Sequence, residues 1–323
     1  MRAFQVTSFH AFPGMAELPV PEPTAGEIRL RIHACGLNFA DLLMTKGTYQ
    51  ETPEPPFTLG MEVAGVIDAL GPGTKGPPPG TRVAVFGGKG GLAETGCFPA
   101  DRAVPLPDTM TFEQAAAFQV AYGTSHLALD HKARLRPDET LLVLGAAGGV
   151  GLTAVEIGKL MGARVVACAR GGDKLEVARK AGADHLINAE TDDIRAECKR
   201  LGGVDVVYDP VGGEQFTAAL RACRPEGRIL AIGFASGEVP RVPVNHLLVK
   251  NLSVLGFYWG GYLGFRPEIV TKSLSRLLNW FEDGKLHPHV SHVLPLERAD
   301  EALNLLRARK STGKVVVTTG AGP

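Results

Sequence analysis

Residues 141–158, LLVLGAAGGVGLTAVEIG, carry the chemistry most open to physical argument. An apolar run enters a glycine-rich turn, and a helix-forming stretch follows at once. Such a junction aims unpaired backbone N–H groups and the positive end of a helix at one point, which makes a receptor for an anion such as phosphate. Against the glycine fingerprint of dinucleotide-binding turns, Ala146, Gly148 and Gly151 take the three glycine positions, with Ala147, Gly149 and Val150 completing the turn. Gly148 would let the backbone approach a pyrophosphate, and Gly151 would let the helix lie close on the strand. Ala146 departs from the strict pattern by one methyl group.

The tip of the next apolar run should then choose between dinucleotides. A chain that takes NAD usually presents Asp or Glu about 20 residues beyond the turn, to bond the ribose hydroxyls. Here that run ends in Ala169, Arg170, Gly171 and Gly172, with Lys174 behind and no carboxylate at the strand end. A carboxylate about 4 Å from a 2′-phosphate would be repelled by roughly 4 kcal/mol per charge pair at an effective dielectric near 20. With that barrier missing and Arg170 and Lys174 able to pair with the phosphate, the sequence predicts a preference for NADPH of about tenfold or more.

These residues need a scaffold, and the rest of the chain supplies one. Apolar runs at 141–144, 165–169, 185–187, 204–208, 229–232 and 252–255 alternate with helical stretches, the pattern of a doubly wound parallel sheet. The first hundred residues are mostly β: 27–34 alternates Ile28, Leu30 and Ile32 against Arg29, Arg31 and His33, and strands at 62–70 and 82–86 flank the loop GPGTKGPPPG. Thr111 and Gln114 have capping-box spacing before an alanine-rich helix. Amphipathic helices around 269–281 and 299–306 and a strand at 314–318 are too few for a third domain, so they are expected to return to the β domain. The expected division is 1–121, 122–257 and 258–323.

Composition removes several classes of function. Lys plus Arg and Asp plus Glu are 34 each, so the net charge is zero, and aromatics are 7% of residues; neither fits a nucleic-acid binder. The five cysteines are odd in number, widely spaced and without a C-x-x-C pair, as expected of reduced thiols in the cytoplasm. No signal peptide or membrane span is expected. His287, His289 and His292 lack a partner at ligand spacing and read as a solvated strand edge, and Lys132, Arg134 and Arg136 read as solvated charges.

Together with the 146–151 turn, the segments Cys35-Gly36-Leu37-Asn38-Phe39-Ala40-Asp41, Gly47-Thr48-Tyr49, Gly60-Met61-Glu62-Val63-Ala64-Gly65-Val66, Asp209-Pro210-Val211-Gly212-Gly213 and Gly313-Lys314-Val315-Val316 resemble the medium-chain dehydrogenases/reductases. The similarity is closest to the zinc-free, zeta-crystallin-like quinone oxidoreductase branch. It implies an α/β fold: a Rossmann doubly wound parallel sheet plus a mostly β GroES-like domain. Zinc-dependent relatives carry Cys where Asn38 stands and His where Met61 stands, and Asn38 and Met61 cannot make the Cys/His constellation of a catalytic zinc. Relatives in the zinc-free branch often carry Tyr in place of Leu43 and Arg in place of Thr45. Asn38 is read as the cap of a short helix that has Asp41 in its first turn and is ended by Gly47, with Tyr49 just beyond.

The resemblance implies that Thr124 and Asn38 contact the nicotinamide half of NADPH, and that Gly233, Phe234 and Phe257 line its carboxamide side. Hydride would pass directly to a quinone or an activated alkene, with Tyr49 the candidate donor to the resulting oxyanion. Two alternatives stand beside quinone reduction: an NADPH-dependent enone or enoyl reductase, including acyl-CoA substrates, and an NADPH-binding protein with little turnover. The apolar run 252–255, as the last strand of the sheet, would leave an open edge that pairing with a second copy closes, so a homodimer is expected.

Overall fold

The alternation in the first hundred residues is realised in the strand Glu27–Gly36, where Ile28, Leu30 and Ile32 are fully buried and their neighbours face outward. This strand is the spine of a seven-stranded sheet, pairing antiparallel with Glu62–Leu70, Thr95–Pro99 and the late strand Lys314–Thr318. A three-stranded sheet of Gly14–Glu17, Arg2–Val6 and Phe57–Thr58 completes the β structure of this part. The capping box at Thr111 forms as expected and starts the helix Phe112–Ala116. That helix crosses the spine so closely that a Cβ at Gly36 would stand 1.9 Å from the Ala116 carbonyl oxygen, so only glycine fits there.

The computed structural model describes residues 1–320 and divides into two units, Met1–Val120 with the chain from Pro288 onward, and Ala121–His287. The second unit is built on six parallel strands: Thr140–Leu144, Arg164–Ala169, His185–Asn188, Val204–Asp209, Cys223–Ala231 and Ser253–Gly256. In chain order their spatial order is 3-2-1-4-5-6, with the wholly buried first strand at the centre. This is a Rossmann sheet, and the first unit is the β-rich GroES-like domain.

One expectation fails. Residues 258–287 do not return to the β domain but lie in the second unit. Trp259 fills the space over Gly123, where a Cβ would meet its indole nitrogen at 2.6 Å. Helix Pro267–Glu282 buries Val270, Ser273, Leu274 and Leu277, and His126 Nδ1 and Ser273 Oγ hydrogen-bond at 2.8 Å. Its amphipathic pattern announces a buried face without naming the surface that covers it. The return does occur later, through Val290–Pro295, Ala299–Arg307 and Lys314–Thr318. Among the described residues, no helix is long and apolar enough to cross a membrane.

Candidate functional site

In a parallel sheet all strands end on the same side, so the turns that follow them form one rim. After the first strand the chain turns at Gly145 (φ +58°) and enters the helix Gly149–Leu160 with Gly148 as its cap. The left-handed conformation therefore falls on Gly145. Ala146 donates its N–H to Cys168 O at 3.0 Å and has no positive φ, which is why its methyl group is accommodated. A Cβ at Gly151 would lie 2.2 Å from Gly145 O, so the close approach of helix to turn requires glycine there. Gly148 is exposed, Gly149 and Val150 are half-buried, and the first N–H groups of the helix have no intrahelical acceptor. This is the cradle a pyrophosphate requires, beside the switch point where the first strand meets the fourth.

Arg170, Lys174, Gly233, Phe234 and Phe257 lie beyond the strand ends of that sheet. Buried Ala169 ends the second strand, exposed Arg170 follows, and half-buried Lys174 lies in the helix Gly172–Lys180. Beyond the fourth strand Asp209 accepts the N–H groups of Val211 and Gly212 at 2.7 and 2.9 Å, fixing the turn that leads to Gly213. Burial raises the Asp209 carboxyl above the ordinary range, against the pull of those two N–H groups. Gly233 and the 40% exposed Phe234 follow the fifth strand, and buried Phe257 follows the sixth, packed on Tyr262. Thr124 is buried on the helix Gln119–His126, next to the Gly123–Trp259 contact.

Asn38 and Tyr49 belong to the first unit. Asn38 caps the helix Phe39–Met44, donating its backbone N–H to Asp41 Oδ2 at 2.7 Å, and Gly47 adopts φ +68° just past the helix end. Tyr49 is half-buried, and its carbonyl accepts the Thr52 hydroxyl at 2.7 Å. Thr45, where zinc-free relatives often carry Arg, is buried and donates its hydroxyl to Leu42 O. An arginine there would have to leave the packed helix end.

The sequence reading missed what holds the Asn38 side chain. Glu62 and Lys314 are almost wholly buried, and Lys314 Nζ donates to Glu62 Oε1 at 2.5 Å and to Asn38 Oδ1 at 2.7 Å. Asn38 Nδ2 in turn donates to Glu62 Oε1 at 2.9 Å, and Val120 N–H donates to Glu62 Oε2 at 3.0 Å. An ammonium on one side and a carboxylate on the other determine which way the amide faces, and Oδ1 keeps one lone pair for a ligand. Beneath them Asp41 is fully buried, and burial pushes its carboxyl up to about 7. The signal was present in the sequence: Glu62 opens the apolar strand EVAGVI, and Lys314 precedes three valines, where charge is rare unless paired.

This donor set does not fit a catalytic zinc. The amide of Asn38 is committed to Glu62 and Lys314, position 61 offers a thioether, and the nearest carboxylate already holds an ammonium. Among the described residues no group of three or more His, Cys, Asp or Glu could hold a metal ion.

Known family models match segments of both units. Residues 24–108 match the family model Alcohol dehydrogenase GroES-like domain, and residues 149–280 match Zinc-binding dehydrogenase. The quinone oxidoreductase-like protein 2 homolog of Nematostella vectensis is 39% identical over 299 residues, covering 91% of this chain and 82% of its own. The solved quinone oxidoreductase of Thermus thermophilus, also seen in its complex with NADPH, is 35% identical at a TM-score of 0.87, covering 99% of this chain and 100% of that one. Escherichia coli quinone oxidoreductase complexed with NADPH is 29% identical at a TM-score of 0.91, with coverage of 99% and 100%. The chain belongs to the medium-chain dehydrogenase/reductase superfamily, in its quinone oxidoreductase-like branch.

Proposed function

We propose that this protein is a zinc-independent, NADPH-dependent oxidoreductase that reduces quinones, acting as a homodimer. The observation that carries the reading is the glycine turn at the sheet's switch point, whose spacing leaves room for a pyrophosphate against the helix Gly149–Leu160. Bound NADPH supplies a hydride at C4 of its nicotinamide. The N–H groups of Gly149, Val150 and Gly151 hold the pyrophosphate, while Arg170 and Lys174 attract the 2′-phosphate. Thr124 and the remaining lone pair of Asn38 orient the nicotinamide half, and Gly233, Phe234 and Phe257 line its carboxamide side. Tyr49 donates its hydroxyl hydrogen to the oxyanion left on the acceptor. The NADPH complexes of the Thermus and Escherichia relatives support the choice of cofactor for this chain.

The test follows NADPH oxidation with a quinone panel and an enone and enoyl-CoA panel in parallel. Turnover concentrated on quinones is the expected result. Turnover confined to conjugated carbonyls makes the protein an enone or enoyl reductase, and NADPH binding with no turnover on either panel makes it a non-catalytic binder. Tyr49→Phe should lower kcat about tenfold or more with little change in the NADPH Kd. An unchanged kcat removes Tyr49 from the reaction.

A further inference from the structure

The turn ending the third strand of the parallel sheet is fastened to the turn ending the second. Ala189 N–H donates to Ala169 O at 2.9 Å, and Asn188 Oδ1 accepts the N–H groups of Gly171 and Glu190, both at 3.1 Å. Within the third-strand turn, Asp192 spends its carboxylate internally, taking the Asn188 N–H at 2.8 Å and the Thr191 hydroxyl at 2.9 Å. Glu190 does not. Its carboxylate forms no hydrogen bond or ion pair among the described residues, and Oε2 lies 3.9 Å from where a Cβ on Gly171 would stand.

A carboxylate therefore does face the tip of the second strand, delivered by the third. We propose that Glu190 is a specificity-determining residue for the dinucleotide. It accepts a hydrogen bond from the 2′-hydroxyl of an adenosine ribose and repels a 2′-phosphate, which narrows the preference for NADPH over NADH that Arg170 and Lys174 would set alone. Two hydrogen bonds, Ala189 N–H to Ala169 O and Gly171 N–H to Asn188 Oδ1, tie the backbones of the two turns together and keep the base of the exposed Glu190 side chain beside the tip of the second strand. The inference rests on the reading that a dinucleotide binds this rim.

Titration of the unaltered protein, Glu190→Gln and Arg170→Ala with NADPH and with NADH, at low and at high salt, tests it. Glu190→Gln should lower the NADPH Kd about three- to tenfold at low salt and leave the NADH Kd equal or raised, with the NADPH effect fading at about 1 M salt. A purely structural disturbance moves both nucleotides together. Equal shifts for both, or a ratio that does not move, overturn the role of Glu190 even where Arg170→Ala selectively weakens NADPH. If the unaltered protein binds neither nucleotide, the dinucleotide reading and this inference fall together.

Discussion

Lys314 and Glu62 are each stranded among apolar residues unless they find one another, and a buried pair of this kind is stable only while both members are present. Lys314→Met should destabilise the protein by about 3–5 kcal/mol by leaving the Glu62 carboxylate unpaired, whereas Lys314→Met with Glu62→Gln should recover most of that loss. Urea denaturation of both variants checks it, and equal losses would mean that packing rather than charge pairing is at stake. Two other buried groups oppose each other in pH dependence. Asp41, raised to about 7 by burial, keeps a proton that the unfolded chain releases near 3.8, so its contribution is complete below that value and is lost as pH rises through 7. His126, lowered to about 4 chiefly by burial, favours the fold above its ordinary value of 6.5 and withdraws that support as pH falls toward 4. The slopes offset between about pH 4 and 6.5. Replacing His126 with Gln removes one of them, so from pH 7 to pH 5 the unaltered protein should lose about 2 kcal/mol relative to His126→Gln.

At the scale of elements, the sequence is legible where an element's pattern is self-contained. The strands Glu62–Leu70 and Arg82–Phe86 match their expected bounds, and all six parallel strands appear where apolar runs alternate with helices. The partners of an element are less legible. The stretch 258–287 shows a buried face, yet only folding reveals Gly123 and His126 as what covers it. Asn38, Glu62 and Lys314 stand far apart in the chain and meet only because Lys314–Thr318 and Glu62–Leu70 both flank Glu27–Gly36. The glycine turn was legible in kind, but the structure separates its glycines by task. Gly151→Ala drives a Cβ into the Gly145 carbonyl, a backbone atom that cannot step aside, and should cost about 1–3 kcal/mol of stability. At Gly148 a Cβ would meet only Gly145 O, at 3.3 Å, so Gly148→Ala should keep the fold to within about 1 kcal/mol while weakening NADPH about tenfold by blocking the phosphate. Thermal melts with and without NADPH separate the two effects.

At the scale of the whole molecule, the proposed homodimer rests on a sheet edge. Ser253–Gly256 is bonded to Cys223–Ala231 on one side and, among the described residues, ends the sheet on the other, leaving a row of unpaired backbone groups. The helix Val244–Lys250 that leads into this strand exposes Val244, Leu248 and Val249 at 71%, 77% and 77%. Scattered apolar residues need no explanation, but three on one short helix beside an open strand edge form a surface that water disfavours and a second copy would cover. Pairing through this region would be isologous, because the same strand and helix would meet their own counterparts, so it would close at two copies and not run on into a fibre. Light scattering should therefore give twice the chain mass. Leu248→Glu with Val249→Glu should shift that mass toward one chain while leaving the melt of the isolated chain unchanged, since both side chains are already in water when the chain is alone. A mass of one chain for the unaltered protein at every concentration would remove the dimer and leave the exposed helix for another partner.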